Sequence, residues 1–496
     1  MRTHREIEHT YGPGPDVQLP DLASLPGVER VAEPRVDELE ATYFDTDDLA
    51  LVRGGVSLRR RAGGSDEGWH LKVPSGDGRD ELRLPLTEDG SKPPGALGDA
   101  VLGWTRGAEL TPIATIRTRR TTYALNGADG QVLAELADDE VTGRRTDGET
   151  SEWHEWELEL VDGDEDLLDA ADDLMDDHGV GPSEIDRKIV RVLGDRAPQP
   201  LQLSKPKRGK PAARVVHARL AAQVEALARR DVEARRGDAE GVHKARVACR
   251  RLRAALATFR PLLDSAVTDP LRDEIRWFAR SLGETRDATV AYERLSGLLR
   301  SEPREILAGP VQRRLRDTYG DRNGPPAVLT DPRYFELRSA LDRLVADPPW
   351  TEKADEPARD VLPKRVRKEW KRLRRRYSAA DEAADGREHD QALHEARKAA
   401  KRLRYAAEAV KPVCGKRAKK LAKAAKNLTS YLGERQDTVT SREELVELAR
   451  AARDAGEPTF TYGRLHAREQ ARAVELDAGL PTEWHRLTGP AKRWTC

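Results

Sequence analysis

A chain of 496 residues is too long for one ordinary core and, at ~150 residues per domain, implies two or three folded units. Charged residues make up 35% and aromatics 5%, so the cores must be aliphatic, and no apolar run approaches the ~18 residues of a membrane span. The net charge of −1 hides a split: residues 1–196 hold 22 Lys and Arg against 44 Asp and Glu, leaving 64 against 43 beyond, so the second half suits a polyanion.

The N-terminus, MRTHREIEHTYGPGP, lacks the apolar stretch of a signal peptide. Cys249, Cys414 and Cys496 stand far apart without CxxC or zinc spacing, which predicts no structural zinc and a reducing compartment without disulfides. The protein is therefore expected in the cytoplasm. Short alternating runs follow: SLRRR (57–61), WHLKV (69–73), ELRLPL (81–86), TIRTRRTTYAL (115–125), VLAELADDEV (132–141) and EWELEL (155–160). Separated by Gly, Asp and Pro, they predict an antiparallel sheet, closed by a helix around DLLDAADDLMDDHG.

In these strands charges alternate with apolar residues, so each pair shares a face: Glu6 with Glu8, Arg59 with Arg61, Arg117 with Arg119, Glu157 with Glu159. One such pair reads most simply as a solvated face. Several strands, with His70/Lys72 and Glu135/Asp139 added, suggest a barrel with a charged, hydrated interior. Cations there would hold phosphate, and carboxylates a hard divalent ion such as Mg²⁺ or Mn²⁺.

These residues resemble the CYTH family of triphosphate tunnel enzymes over residues 1–196: YFDTDDLAL (43–51), SLRRR, HLKVP, IRTRR, ELADDE and EWELEL match its pattern. The family opens with ExExK, whereas this chain reads Glu6-Ile7-Glu8-His9-Thr10. The resemblance implies metal-assisted attack of water on a terminal phosphorus, with metal on Glu6, Glu8, Glu157 and Glu159, joined by Glu135 and Asp139. Arg59, Arg61, Lys72, Arg117, Arg119 and Lys188 would clamp the phosphates. Thr10 costs one charged contact, worth about 1.5–3 kcal/mol, which His4, His9 or His70 would have to offset. The family also includes one class of adenylyl cyclase, but no base-binding pocket is legible.

RAPQPLQLSKPKRGKP (196–211) has no apolar period and predicts a linker over 197–211. From residue 212 to 496, 3.6-residue periods predict helix throughout. HKARVACRRLR (243–253) returns as HEARKAAKRLR (394–404) at an offset of 151, and LGETRD (282–287) as LGERQD (432–437) at an offset of 150. Two motifs at nearly one offset mark a tandem duplication, in halves of about 212–350 and 351–496, each a four-helix bundle. His243, Arg246, Arg250 and Arg253 fall on one ridge, as do His394, Arg397, Lys401 and Arg404. Ala245, Cys249, Leu252 and Leu256, with Ala396, Ala400, Leu403 and Ala407, form the apolar ridges.

A solvated helix face ordinarily mixes signs, but the first basic ridge carries no acid and neither copy offsets its cations locally. A polyanion against both ridges is the better account. Nucleic acid fits poorly, because Tyr405 is the one aromatic at the ridges for base stacking and no helix-turn-helix or RNA-recognition signature occurs. The paired His helices, each followed by LGxxxD, resemble the CHAD domain (conserved histidine α-helical domain) over about 212–496. That resemblance implies inorganic polyphosphate on His243, Arg246, Arg250, Arg253, His394, Arg397, Lys401 and Arg404, with Lys244, Arg251, Lys398 and Arg402 at the flank. The expected architecture is α+β multidomain, an N-terminal antiparallel β-barrel of the triphosphate tunnel type before an all-α duplicated four-helix-bundle domain. The expected partners are polyphosphate and a triphosphate-containing small molecule, with no membrane, and polyphosphate granules are a possible location. A granule protein with a degenerate barrel and a cyclase-like enzyme are the alternatives.

Overall fold

The structure is a computed structural model. It describes residues 2–14, 16–75, 78–87, 89–183, 185, 187, 188–199, 201–320, 324–384 and 386–494, without the side chains of 2–6, 75 and 284–287. The chain divides into two compact units, Met1–Pro200 and Leu201–Cys496. Among the described residues no helix is long and apolar enough to cross a membrane.

The first unit is an antiparallel, curled half-barrel sheet. Its strands are β1 (Arg2–Glu6), β2 (Glu8–Tyr11), β3 (Arg30–Val31), β4 (Arg35–Asp45), β5 (Ser57–Ala62), β6 (Gly68–Ser75), β7 (Gly78–Leu84), β8 (Thr111–Asn126), β9 (Val132–Arg145) and β10 (Thr150–Leu160). The spatial order is β1-β7-β6-β5-β4-β8-β9-β10-β2, with β3 beside β8. Its ends, β1 and β2, are consecutive in the chain, so one N-terminal segment pairs with β7 through residues 2–6 and with β10 through residues 8–11. The N-terminal segment thereby covers the outer sides of both β7 and β10.

Side-chain alternation divides the sheet by chemistry. On one face Tyr11, Ala134, Leu136, Trp156, Leu158 and Leu160 pack with Leu167, Leu168, Ala171 and Met175 of helix α3 (Glu165–Asp177), which follows α1 (Ala50–Arg53) and α2 (Gly95–Thr105). The opposite face carries charge and is covered at one end by α4 (Lys188–Leu193). There Ile189, Val192 and Leu193 pack on Ala41, Tyr43, Ile116 and Val141.

The second unit is all helical: α5 (Ala212–Arg235), α6 (Ala239–Thr258), α7 (Ser265–Ser281), α8 (Gly283–Arg300), α9 (Val311–Tyr319) and α10 (Pro332–Ala346) come from the first half. The second half supplies α11 (Ala358–Asp381), α12 (Arg387–Ala409), α13 (Lys411–Asp454) and α14 (Phe460–Lys492). All eight residues of the two apolar ridges are buried, and each fully buried Leu contributes on the order of 2 kcal/mol. Two cores result, and both draw on both halves. The larger runs from Ala212 to Trp494, while a smaller one joins Leu295, Leu315, Leu445 and Leu465.

The cysteine expectation needs correction. Cys249 is a free, buried thiol pushed up to about 12 by burial, but Cys414 is disulfide-bonded. Pairing depends on Cα separation in space, which sequence spacing does not report, so cysteine usage no longer argues for a reducing compartment.

Candidate functional site

The charged face of the sheet has two walls. On β5 and β6, Arg59 and Arg61 are nearly buried and His70 is fully so. Arg59 Nη1 donates to Tyr43 Oη at 3.2 Å, and its Nη2 lies 4.0 Å from Glu81 Oε1. Arg61 Nη1 donates to Asp66 Oδ2 at 2.6 Å. Burial and the neighbouring Arg59 pull Arg61 down to about 10, and Nε of both arginines is buried without a hydrogen-bond partner. His70 sits between Glu81 Oε1 at 2.9 Å and the Asp66 carbonyl at 2.8 Å. Lys72 is register partner to Glu81. This wall carries more cationic donor capacity than its own acids use.

The facing wall is acidic. Register aligns Glu8, Glu159 and Glu135 in one row, Thr10, Glu157 and Ala137 in the next, and Glu155 with Asp139 in a third. Asp139, Glu155 and Glu157 offer oxygens within 4.8 Å of one another. Two cations reach them. Arg120 forks onto Asp139 at 2.7 and 2.6 Å and donates to Glu157 Oε2 at 2.6 Å. Lys188 Nζ lies 3.0 Å from Asp139 and 2.7 Å from Glu157 and also contacts Glu155.

Burial works against each carboxylate, but Lys188 and Arg120 outweigh it at Glu157, held well below the usual range, and at Asp139, which is lowered. At Glu155 burial prevails and its carboxyl is raised. In donor chemistry the cluster fits a hard divalent ion, since every candidate ligand is a carboxylate oxygen. Such an ion would share the oxygens with the Lys188 ammonium.

The sheet brings together Glu8, Glu135, Asp139, Glu157, Glu159, Arg59, Arg61, Lys72 and Lys188, with Glu135 exposed at the end of its row. Glu6 pairs with Arg79 through its backbone, and its side chain lies outside the described residues. Arg117 and Arg119 do not join them. They occupy the opposite face of β8, paired with Glu40 at 2.8 Å and Glu140 at 3.1 Å. Arg120 takes the inward place, because a shift of one residue along a strand exchanges faces. Its signal was Ile116, an apolar residue of the same parity four positions earlier.

Glu155 was missed for a related reason: the pair Glu157/Glu159 drew attention to EWELEL, while its first glutamate points the same way. Thr10 lies opposite Glu157, the carboxylate that Lys188 and Arg120 both contact. His9 does not stand in for the missing lysine. It faces α3, 2.9 Å from Asp172.

In the helical unit, a cavity of about 500 Å³ joins the two copies of the repeat. His243 and Arg250 of α6, with Arg397, Lys401 and Arg404 of α12, line it together with Gly433 and Asp437 of α13. A Cβ at Gly433 would stand 3.1 Å from Arg397 Nη2, so a larger residue there would displace that guanidinium by a few tenths of an ångström. Burial, then Arg397 and Arg250, pull Lys401 down to about 7. Burial raises the Asp437 carboxyl although Arg397, Arg294 and Lys401 oppose it. Asp287, its counterpart, has its side chain outside the described residues.

The other ridge positions are placed differently. Arg246 contributes to the field that lowers Lys401. Arg253 is lowered by burial and by Arg276, Arg272 and Arg280 of α7, so it belongs to a neighbouring cationic cluster. His394 Nδ1 hydrogen-bonds Gln436 Oε1 at 2.9 Å. The ridge cations are also not wholly without local acids: Arg404 donates to Glu408 at 2.7 Å, which Arg219 and Arg251 approach as well. Glu408 lies one turn beyond the motif, outside the segment compared. Tyr405 is approached by Arg251 and Arg404 at 6.0 and 5.5 Å from its ring centroid.

Family models match this chain twice, the CYTH domain at residues 14–187 and the CHAD domain at residues 218–446. The chain is a CYTH–CHAD protein. An uncharacterized protein of Mycobacterium tuberculosis is 36% identical over 502 residues, covering 96% of each chain. The crystal structure of the CHAD domain from the plant Ricinus communis is 27% identical, covering 58% of this chain and 96% of that one, with a TM-score of 0.46. PptA from Streptomyces chartreusis is 21% identical, covering 55% and 99%, also with a TM-score of 0.46.

Proposed function

We propose that the helical unit binds inorganic polyphosphate and that the curled sheet binds a triphosphate, or a polyphosphate end, and hydrolyses it. The observation carrying the catalytic half is the opposition of two walls on one face, a cationic one with donor capacity to spare and an acidic one of clustered carboxylates. Arg59, Arg61 and Lys72 would hold phosphate oxygens, with Arg120 replacing Arg117 and Arg119, and Lys188 at the boundary between the walls. Glu8, Glu135, Asp139, Glu155, Glu157 and Glu159, with Glu6, would supply oxygens to Mg²⁺ or Mn²⁺. The ion, when bound, polarises a phosphoryl oxygen and lowers the pKa of water. Fixed cations around the phosphates stabilise charge as the bridging bond breaks, without a covalent nucleophile.

The deciding experiment is phosphate release by the full chain with Mg²⁺ or Mn²⁺, offering tripolyphosphate, ATP and long-chain polyphosphate in parallel, with Arg59→Ala as control. Release abolished in the control supports a triphosphatase. A second reading, binding without turnover, is favoured by Lys188, whose ammonium lies where a metal would seek its oxygens. No release with any substrate, while polyphosphate still binds, would establish that reading instead.

A further inference from the structure

A second basic groove, larger than the repeat cavity, lies where sequence comparison of the repeats does not reach. It measures about 1010 Å³ and runs between α11, the end of α6, the middle of α7, and α12. Helix α11 contributes Arg365, Lys368, Lys371, Arg372, Arg374 and Arg375. Spacings of three and four put Arg365, Lys368, Arg372 and Arg375 along one side of the helix.

Three further cations in the groove are already paired. Arg260 and Arg272 share Asp269, at 2.7 and 2.8 Å, and Arg402 donates to Glu369 at 2.7 Å. The six on α11 make no ion pair among the described residues. Arg372 is lowered by burial, then by Arg402, with Arg376 and Arg375 adding to the effect. Arg272, Arg365 and Arg402 each keep a buried Nε without a hydrogen-bond partner.

So many like charges on one groove repel until an anion enters, and the anion must carry several charges in succession. The remaining lining is Ala257, Thr258, Pro261, Ser378, Ala379 and one further acid, Glu382, so nine cations face two carboxylates and no aromatic surface is offered to a base. On these grounds we infer that the α11 groove is a second binding site for an inorganic polyphosphate chain, distinct from the cavity between the repeats. The inference rests on the polyphosphate reading of the helical unit and adds a chain-length preference to it. α12 gives Lys401 to the cavity and Arg402 to the groove, so the two sites flank one helix about 10 Å across. A long chain can occupy both, and the second engagement is then intramolecular, while tripolyphosphate fills one site at a time.

The test compares binding of long-chain polyphosphate and of tripolyphosphate to the full-length protein across a salt series. The variants are Lys371→Ala/Arg372→Ala/Arg375→Ala in the groove and Arg250→Ala in the cavity. The groove positions are exposed, so the fold should hold, and unchanged thermal unfolding verifies this. The groove variant is expected to lose roughly tenfold or more in long-chain affinity. Its salt slope should fall by about 2, since each neutralised phosphate accounts for ~0.7 to 0.9. Its tripolyphosphate affinity should change less than about threefold, so the preference for long chains collapses.

Unchanged long-chain affinity and salt slope in the groove variant, with Arg250→Ala still weakening binding, would overturn the inference and leave the cavity reading intact. Absence of polyphosphate binding by the wild-type chain would overturn both. A single-stranded oligonucleotide that binds more tightly than polyphosphate of equal charge, and loses that binding in the groove variant, would overturn the ligand class.

Discussion

The inner face of the sheet and the cavity between α6 and α12 both gather cations from distant parts of the chain, but they handle the charge in opposite ways. On the sheet, Arg120 and Lys188 are shared among Asp139, Glu155 and Glu157, and Glu157 is driven well below the ordinary carboxylate range. In the cavity Asp437 and Glu434 are outnumbered by Arg250, Arg397, Lys401 and Arg404, and Lys401 drops to about 7. A mixed-sign site is organised before any ligand arrives, at the cost of desolvating its ions. A site with cations in excess stores repulsion that an anion relieves, so its affinity should follow salt and pH closely.

The largest expected effect separates the two sites outright. Arg59→Ala should cut phosphate release from tripolyphosphate by about 10²- to 10³-fold, the range for removing one preorganised charge-stabilising donor. The same variant should bind long-chain polyphosphate normally. Parallel loss of both properties would mean that they share one site.

The next effect is in the cavity. Arg250→Ala or Arg397→Ala removes a charge-assisted contact worth about 1.5–3 kcal/mol. That corresponds to roughly 10- to 100-fold weaker polyphosphate binding by calorimetry, with phosphate release unaffected.

A smaller effect is the pH dependence. The free Lys401 ammonium titrates near 7, below its ordinary 10.5, and a bound polyanion favours the protonated form and raises that value. Binding therefore takes up a proton above pH 7. Affinity should be flat below pH 7 and fall by at most about tenfold per unit above it, until the raised value of the complex is passed. Lys401→Arg should flatten the profile between pH 7 and 9, and an unchanged slope in that variant would assign the effect elsewhere.

The smallest effect tests the strand register. Arg117→Ala and Arg119→Ala alter exposed ion pairs worth about 0–1 kcal/mol and should leave phosphate release within about twofold. Arg120→Lys, which keeps the charge but loses the fork onto Asp139, should slow release by about tenfold or more. The reverse ranking would return the phosphate clamp to the outward pair.

Much of this molecule is written in local pattern. Alternation located β5 to β10 within a few residues, and the 3.6-residue period placed Ala245, Cys249, Leu252 and Leu256 in the core together with their four counterparts in the second repeat. Both are short-range consequences of backbone geometry, so neighbouring residues suffice to read them. The repeat motif likewise named five of the residues that line the cavity between α6 and α12.

Three-dimensional packing decided what local pattern leaves free. In TIRTRR either parity can face inward, and the choice of Arg120 over Arg117 and Arg119 is made by β9 and β10, which place Asp139 and Glu157 opposite it. Lys188 reaches those same acids from a six-residue helix some thirty to fifty residues further along the chain. The α11 groove has no counterpart in the repeat comparison, since it forms where α11 meets the end of α6 and the middle of α7. Charge sites depend on which distant side chains share a volume, and long-range electrostatic compensation leaves no periodic trace in sequence. That is why the elements were legible from neighbouring residues, while the pairing of acid with cation was settled by the fold.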